Sequence, residues 1–421
     1  MSAYACQPNR GSEEGKGWYF PLNVAKLGYE VWVLTSPYNS NYANNKKIIE
    51  EQLNNHPVPN LHFVYVDIPD WLKLFIKRQN GIIKGRCGIY FHYLLWQRQA
   101  CIIAKLLDIQ LQFDIIHHVN YGSFLLGSRL WKLKKPFIFG PVGGGQIAPK
   151  ELKEFYLDQW FAEQQRSFIV QYLTQFNPIV RQTIKNADFL LFENKETYEL
   201  CHRIGKPKRV GFALSSGLPS EYLPVEPPTR SISTTLKLLW VARLHPRKGL
   251  RLTLQALAEV NPDVNFKMTI LGDGISKPYI PSWLKEFQLE KKVEYRGQLS
   301  WEEVKQEYLC SDVFLFSSLR DTFGAQLWEA MAHALPLIVL DHHGARDFIT
   351  EDMGIKIPVT EPTYTVRAIA RAIEYLYEHP QKRIEMGRNG YEFAKRNTWE
   401  EKAKMMCSYY KELMLSQKQM A

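Results

Sequence analysis

The chain has 421 residues, of which 45% are hydrophobic and 13% aromatic, and a formal net charge of +10. That length predicts two domains with a core each, and the charge calls for an anionic partner: a diphosphate, an acidic membrane or a nucleic acid. No nucleic-acid motif accompanies the charge, and the scattered Cys6, Cys87, Cys101, Cys201, Cys310 and Cys407 form no C-x-x-C pair, which argues against a disulfide framework or a zinc site and for a reducing compartment.

Neither a signal peptide nor an apolar run of membrane-spanning length is recognisable. Ser2 to Pro8 reads as a strand end entering a loop. A complete α/β domain would start several apolar residues earlier, so a truncated first strand or a late start is expected. Gly11 to Gly17 is a glycine-rich turn expected to open a helix from about Trp18 to Leu27, before the strand Val31 to Leu34. Such a turn presents backbone N–H groups to a phosphate, with Gly11 and Gly15 as candidates, or is a plain tight turn. Leu61 to Val66 is a strand, and Asp70 to about Leu107 is mostly helical. There Trp71, Phe75, Tyr90, Phe91 and Trp96 mix with Lys73, Lys77, Arg78, Lys84 and Arg86. This is either an interfacial segment for anionic lipid or a packed helix pair with a basic edge.

Phe113 to His118 is a buried strand ending in His117 and His118, and Lys135 to Phe139 is a strand ending in the run from Gly140 to Gly145. The histidines are site contacts or structural groups. The glycines, Gly143 and Gly144 among them, imply close approach of the backbone to a ligand or a partner domain. Residues 151–186 read as helices, Ala187 to Glu193 as a strand, Lys195 to Ile204 as a helix and Val210 to Leu214 as a strand. A first domain of residues 1–218 and a Pro/Ser/Thr-rich linker of residues 219–235 follow from this.

A second domain, residues 236–394, opens with the strand Leu236 to Val241. Arg243 and Lys248 flank the next turn, before a helix from about Leu250 to Val260; they suit a diphosphate or are surface charge. Next come Met268 to Leu271 with Gly272-Asp273-Gly274, the strand Val293 to Gly297 with Arg296, and a helix from Trp301 to Cys310. The strand Val313 to Phe316 leads into the most informative stretch, Ser317 to Gly344. Asp321 and Thr322 are N-cap types, Gly324 leaves room at the turn, and Leu327, Trp328, Met331 and Ala332 recur at helical spacing. Pro336 stops that helix before the strand Leu337 to Leu340. Asp321 and Glu329 lie where open α/β sheets bind ligands, or are a cap and an exposed helix acid. Ile355 to Val359, a helix through Tyr377 and a last helix from about Trp399, within residues 395–421, complete the chain.

The stretch resembles the signature E-x-F-G-x-x-x-x-E-A-M-A-x-G-x-P of the retaining, glycogen-synthase-like glycosyltransferases (family 4, glycosyl transferases group 1). Asp321, Phe323, Gly324, Glu329, Ala330, Met331, Ala332 and Pro336 stand in register, with Asp321 in place of Glu and Ala334 in place of Gly. Arg243, Leu244, Lys248 and Gly249 match the family's R-L-x-x-x-K-G. The likeness covers nearly the whole chain and is specific from about Leu236 to Gly344. It implies an α/β fold of the GT-B type, two Rossmann-like domains facing across a cleft, with the last helix crossing back to the first. It implies retaining transfer of a sugar from a nucleotide-diphosphate donor to a hydroxyl of a glycan or lipid-linked acceptor, in bacterial polysaccharide biosynthesis. No metal or other cofactor is implied, and the leaving phosphate would help take the acceptor proton.

In that family the cations matching Arg243 and Lys248 neutralise the leaving diphosphate, the first acid (Asp321) meets the donor sugar, and the second (Glu329) meets the ribose. The first glycine loop (Gly11, Gly15) approaches the diphosphate. Gly272, Gly274 and Arg296 lie along the nucleotide, with Phe323 and Gly324 beside it. Many relatives end the strand matching 137–141 in a sugar-contacting His, where this chain carries its glycine run. His117, His118, Gly143 and Gly144 are therefore candidate acceptor or sugar contacts. The rival readings are a catalytically weak partner subunit that binds a nucleotide sugar or glycan, and a related epimerase. A cytoplasmic protein, peripheral on the inner face of an anionic membrane, is expected.

Overall fold

The computed structural model describes residues 1–38, 44–70 and 85–418. The chain forms two compact units: Met1–Gly145, Val170–Gly217 and Trp399–Ala421 make the first, and Gln146–Ile169 with Leu218–Thr398 the second. Residues 146–169, read from sequence as part of the first domain, thus pack with the second. So do residues 219–235, read as a free linker. Arg230 shows why: its guanidinium donates to the carbonyls of Tyr308, Leu309, Ser311, His333 and Ala334. These are the orphan carbonyls at the ends of the helices Trp301–Cys310 and Ala325–Ala332, where a cation also meets the negative dipole ends.

In the first unit, β1 (Ser2–Ala3), β2 (Val31–Thr35), β3 (Leu61–Tyr65), β4 (Ile116–Asn120), β5 (Phe137–Val142), β6 (Phe189–Phe192) and β7 (Val210–Phe212) form a sheet in the order β3-β2-β1-β4-β5-β6-β7. Its pairs are parallel. Helices cover both faces of such a sheet, which is why Phe189–Phe192 is continuously apolar. The terminal helix Trp399–Lys418 belongs here, with Trp399 stacked on Tyr19 at 6.0 Å. The glycine run does not form the expected turn: the helix begins at Ser12, so Gly15 and Gly17 lie inside it. A Cβ on Gly15 would sit 2.0 Å from the Arg10 carbonyl oxygen, and one on Gly17 2.0 Å from that of Ala5. Both glycines serve close packing.

In the second unit, β8 (Leu236–Val241), β9 (Phe266–Leu271), β10 (Val293–Gly297), β11 (Val313–Phe316), β12 (Leu337–Leu340) and β13 (Gly354–Ile357) form a parallel sheet ordered β10-β9-β8-β11-β12-β13. The helix Pro362–Glu378 buries Thr365, Val366, Ile369, Ala370, Ile373 and Leu376, the stripe that a 3.6-residue period dictates. Strand order reverses between β8 and β11. Such a reversal point, at the strands' carboxyl ends, is where open α/β sheets generally bind ligands.

Of the aromatic-basic segment, Trp71, Lys73, Phe75, Lys77, Arg78 and Lys84 lie outside the described residues. The helix Gly85–Leu111 buries Tyr93 and Trp96 and exposes Tyr90, Phe91, Ile102, Leu106 and Ile109. Among the described residues, no helix is long and apolar enough to cross a membrane.

Candidate active site

The junction of β8 and β11 is built by one tight approach. After β8 the chain makes a short turn, Pro246–Lys248, closed by Gly249 at φ 72°. A Cβ there would lie 2.0 Å from the Ser317 carbonyl oxygen, so only glycine lets this turn press on the exit of β11. The Ser317 hydroxyl donates to the Gly249 carbonyl at 3.0 Å, and the Leu319 N–H to that of Arg247 at 2.8 Å.

This contact brings Lys248 to Asp321. Lys248 is buried, and its ammonium donates to Oδ2 of Asp321. Asp321 does not cap the following helix, as its residue type suggested. That helix begins at Ala325 with Gly324 as N-cap, while Asp321 accepts the Thr322 N–H at 3.0 Å. Burial raises the Asp321 carboxyl, but Lys248 and Arg247 outweigh it and hold it at about 2. Arg243 is exposed at the end of β8 and has no hydrogen bond or ion pair among the described residues. It is a cation at a strand carboxyl end with its donors unspent.

Glu329 is no exposed helix acid. It is largely buried, and the fully buried Tyr308 donates its hydroxyl to Oε2 at 2.9 Å. Burial lifts its carboxyl to about 7, and the Tyr308 hydrogen bond offsets only part of this.

The other expected donor contacts divide. Gly272 and Gly274 have φ of 132° and 152°, and a Cβ on either would meet the Ala242 or Leu244 carbonyl oxygen at 1.9 or 2.4 Å. Their turn therefore lies against the segment that carries Arg243. Arg296 is instead paired with Glu307, with Glu294 at 3.9 Å. Phe323 packs on Trp328, ring centroids 4.9 Å apart, and Gly324 sits under the Phe316 ring.

The first-unit candidates do not form an open site of their own. Gly11 is the N-cap of a helix whose first turn carries Glu13 and Glu14. Glu13 already accepts from Lys16 at 3.0 Å and from the Gly122 N–H at 3.3 Å, where an anion would have to compete. His117 and His118 are buried with every ring nitrogen engaged: His117 with Tyr410 and the Gly140 carbonyl, both at 2.6 Å, His118 with Ser128 at 3.0 Å and Tyr93 at 3.2 Å. Burial depresses them to about 3 and about 4, so both are neutral. They hold β4 in the core rather than meeting a sugar. Gly143 is bound to Gly122 and Phe124 through its backbone, and Gly144 turns at φ 115°.

With this geometry in place, the comparison with known proteins is direct. Residues 227–393 match the family model of the glycosyl transferases group 1. This part of the chain is a glycosyl transferases group 1 domain. WcaL of Escherichia coli (strain K12), provisionally named a colanic acid biosynthesis glycosyltransferase, is 27% identical over 215 residues, 48% of this chain and 50% of WcaL. This chain therefore matches about half the length of that relative. Sucrose-phosphate synthase from Thermosynechococcus elongatus superimposes with a TM-score of 0.64 at 17% identity, covering 98% of this chain and 96% of that one. Anabaena HepE, solved with UDP, gives 0.58 at 14% identity, covering 97% and 100%. At such identities the likeness is one of fold, and the fold is GT-B. In the glycosyl transferases group 1 domain, the structure brings Lys248 and Asp321 together and places Arg243 and Glu329 on the same sheet's carboxyl-end segments.

Four residues around this site had no role in the sequence reading: Tyr308, Arg320, Glu163 and Gln146. Arg320 directly precedes Asp321, so its position was a signal. The partners of the others are set by tertiary structure alone.

Proposed function

We propose that this protein is a retaining glycosyltransferase that moves a sugar from a nucleotide-diphosphate donor to a hydroxyl of a glycan or lipid-linked acceptor in bacterial polysaccharide biosynthesis. The carrying observation is the grouping at the β8/β11 junction: an exposed cation with no hydrogen bond or ion pair among the described residues, Arg243, beside the turn that pairs Lys248 with Asp321. In glycosyl transfer the bond from the sugar's C1 to the diphosphate oxygen breaks, through an oxocarbenium-like state, and negative charge grows on the leaving group. Arg243 and Lys248 supply the countercharge. Lys248 exchanges part of its contact with Asp321 for phosphate, which frees Asp321 to accept from sugar hydroxyls. Glu329 accepts from the ribose hydroxyls. The acceptor oxygen bonds to C1, and its proton leaves on the departing phosphate. These roles call for no metal.

The UDP bound to HepE and the colanic acid assignment of WcaL support this choice of donor class and pathway. The reading also places the protein in the cytoplasm, peripheral on an anionic membrane. The test is a panel of nucleotide sugars, followed for binding by calorimetry and for turnover by nucleoside diphosphate release, with and without EDTA. Retention is read from the anomeric configuration of the product by NMR. Tight binding of a donor without release of diphosphate would instead identify a binding subunit.

A further inference from the structure

Asp321 sits on a stretch, residues 317–324, that is neither helix nor strand. A carboxylate on irregular backbone keeps its aim only if other groups hold that backbone. One support is the Arg247–Gly249 turn already described. The other comes from residues 146–169, which hold the neighbours of Asp321 on both sides. Arg320 Nε and Nη2 donate to Glu163 Oε2 and Oε1 at 2.7 and 2.9 Å, a bidentate pair with side chains 9% and 8% exposed. Gln146 Nε2 donates to the Thr322 hydroxyl at 2.8 Å, and Arg166 fixes Gln146 by donating to its carbonyl at 2.7 Å. The Tyr156 hydroxyl donates to the Leu319 carbonyl at 3.1 Å.

We infer that Glu163 and Gln146 are positioning residues for donor-sugar recognition: they hold Arg320 and Thr322 so that the Asp321 carboxylate between them faces the sugar. This rests on the donor reading given above. Two features favour positioning over mere stability. A buried ion pair is on average no more stabilising than well-packed apolar residues of the same volume, whereas its two parallel hydrogen bonds fix direction. And three of these hydrogen bonds fall on residues 319, 320 and 322, around Asp321 itself. Glu163 also keeps the Arg320 guanidinium committed, so that it does not draw on Asp321 in place of Lys248. Burial works against the Glu163 charge, but the hydrogen bonds and charge of Arg320, with Arg166 and Arg247, keep its carboxyl below the usual range.

The nucleotide end is held separately, since Glu329 is on the helix Ala325–Ala332 and is bound by Tyr308. This separation supplies the test. Glu163→Gln and Gln146→Ala are compared with wild type for UDP affinity, for affinity toward UDP-glucose and other UDP sugars, and for kcat and KM of donor hydrolysis or transfer. Expected are UDP affinity within twofold of wild type, a ten- to hundredfold loss in kcat/KM for the preferred donor, and weaker discrimination among sugars. The double variant Glu163→Arg/Arg320→Glu should recover part of the loss. If Glu163→Gln does not fold, Gln146→Ala carries the test. Unchanged kcat/KM and sugar preference in a folded Gln146→Ala protein overturn the inference, as does an equal loss of UDP and UDP-sugar affinity. A wild-type protein inert toward every donor overturns the donor reading and this inference with it, an outcome visible before any variant is made.

Discussion

Lys248 and Asp321, 73 residues apart in the chain, meet in a partly buried ion pair at the reversal point of the second sheet. The pair answers two needs at once. Without ligand, each charge neutralises the other in a site where an unpaired one would be costly. In the proposed reaction a diphosphate sugar would offer each a new partner, phosphate for Lys248 and hydroxyl donors for Asp321.

Arg243 and Lys248 should therefore respond differently to truncation. Arg243→Ala is expected to cut turnover by about 10²–10³-fold, the scale of one transition-state charge partner, with little change in stability. Lys248→Ala should lose activity comparably and also destabilise the fold by roughly 2–4 kcal/mol, because it strands Asp321. Steady-state kinetics and urea unfolding separate the two. Equal stability losses in both variants would contradict the pairing.

Asp321 gives an acid-side signature. Its folded value of about 2 lies below the ordinary 3.8, so its stabilisation is fully present above pH 3.8 and is lost as pH falls through about 2. The stake is on the order of 2 kcal/mol. Asp321→Asn should show a stability deficit that is constant from pH 7 to about 4 and shrinks below it. A deficit independent of pH down to 2.5 would mean that Asp321 is not held as an anion.

Glu329 has the opposite sign. Its folded value of about 7 lies above the ordinary 4.5, so stability should fall as pH rises from about 4.5 to about 7 and then level off. Glu329→Gln should remove that slope. Ribose hydroxyls favour the ionised form, so nucleotide affinity in the wild type should rise between pH 6 and 8. The variant should bind nucleotide more weakly by roughly 1.5–3 kcal/mol. Calorimetry showing wild-type affinity in Glu329→Gln would remove this acid from the site.

Ala334 adopts φ 53° just after the helix Ala325–Ala332, where the family pattern has glycine. A Cβ disfavours this left-handed conformation. Ala334→Gly should stabilise the protein by about 0.5–1 kcal/mol, read from the urea midpoint, without altering nucleotide binding. Destabilisation would show that the methyl packs better than its backbone strain costs.

The membrane reading predicts flotation with anionic vesicles, lost at high salt, and none with neutral ones. Each cation near an anionic surface contributes about 1 kcal/mol, and salt screens it. Changing Lys73, Lys77 and Arg78 together to Gln should weaken binding and leave nucleotide affinity intact. Protein that stays at the bottom with anionic lipid at low salt refutes the peripheral assignment.

The amino-acid sequence by itself determined the elements and the second unit's motifs. Runs such as Val313–Phe316 and Leu337–Leu340, bounded by turn residues, read as strands covered on both faces, and the spacing of Arg243, Lys248 and Gly249, or of Asp321 and Glu329, is local to one turn or one helix start. What the tertiary structure decided is which of these groups meet and which are already taken. His117 and His118 looked available because a strand end was visible, but Tyr410, Tyr93 and Ser128, which occupy them, lie on other segments that only the fold brings to β4. Gly15 looked like part of a loop because the approach of the Arg10 carbonyl leaves no mark on composition. Arg320 and Glu163 lie 157 residues apart, and residues 146–169 carry no signal of belonging to the second unit. Periodicity and turn chemistry act over a few residues, whereas pairing across a fold depends on strand order and on what burial leaves unsatisfied, and only the packed chain sets those.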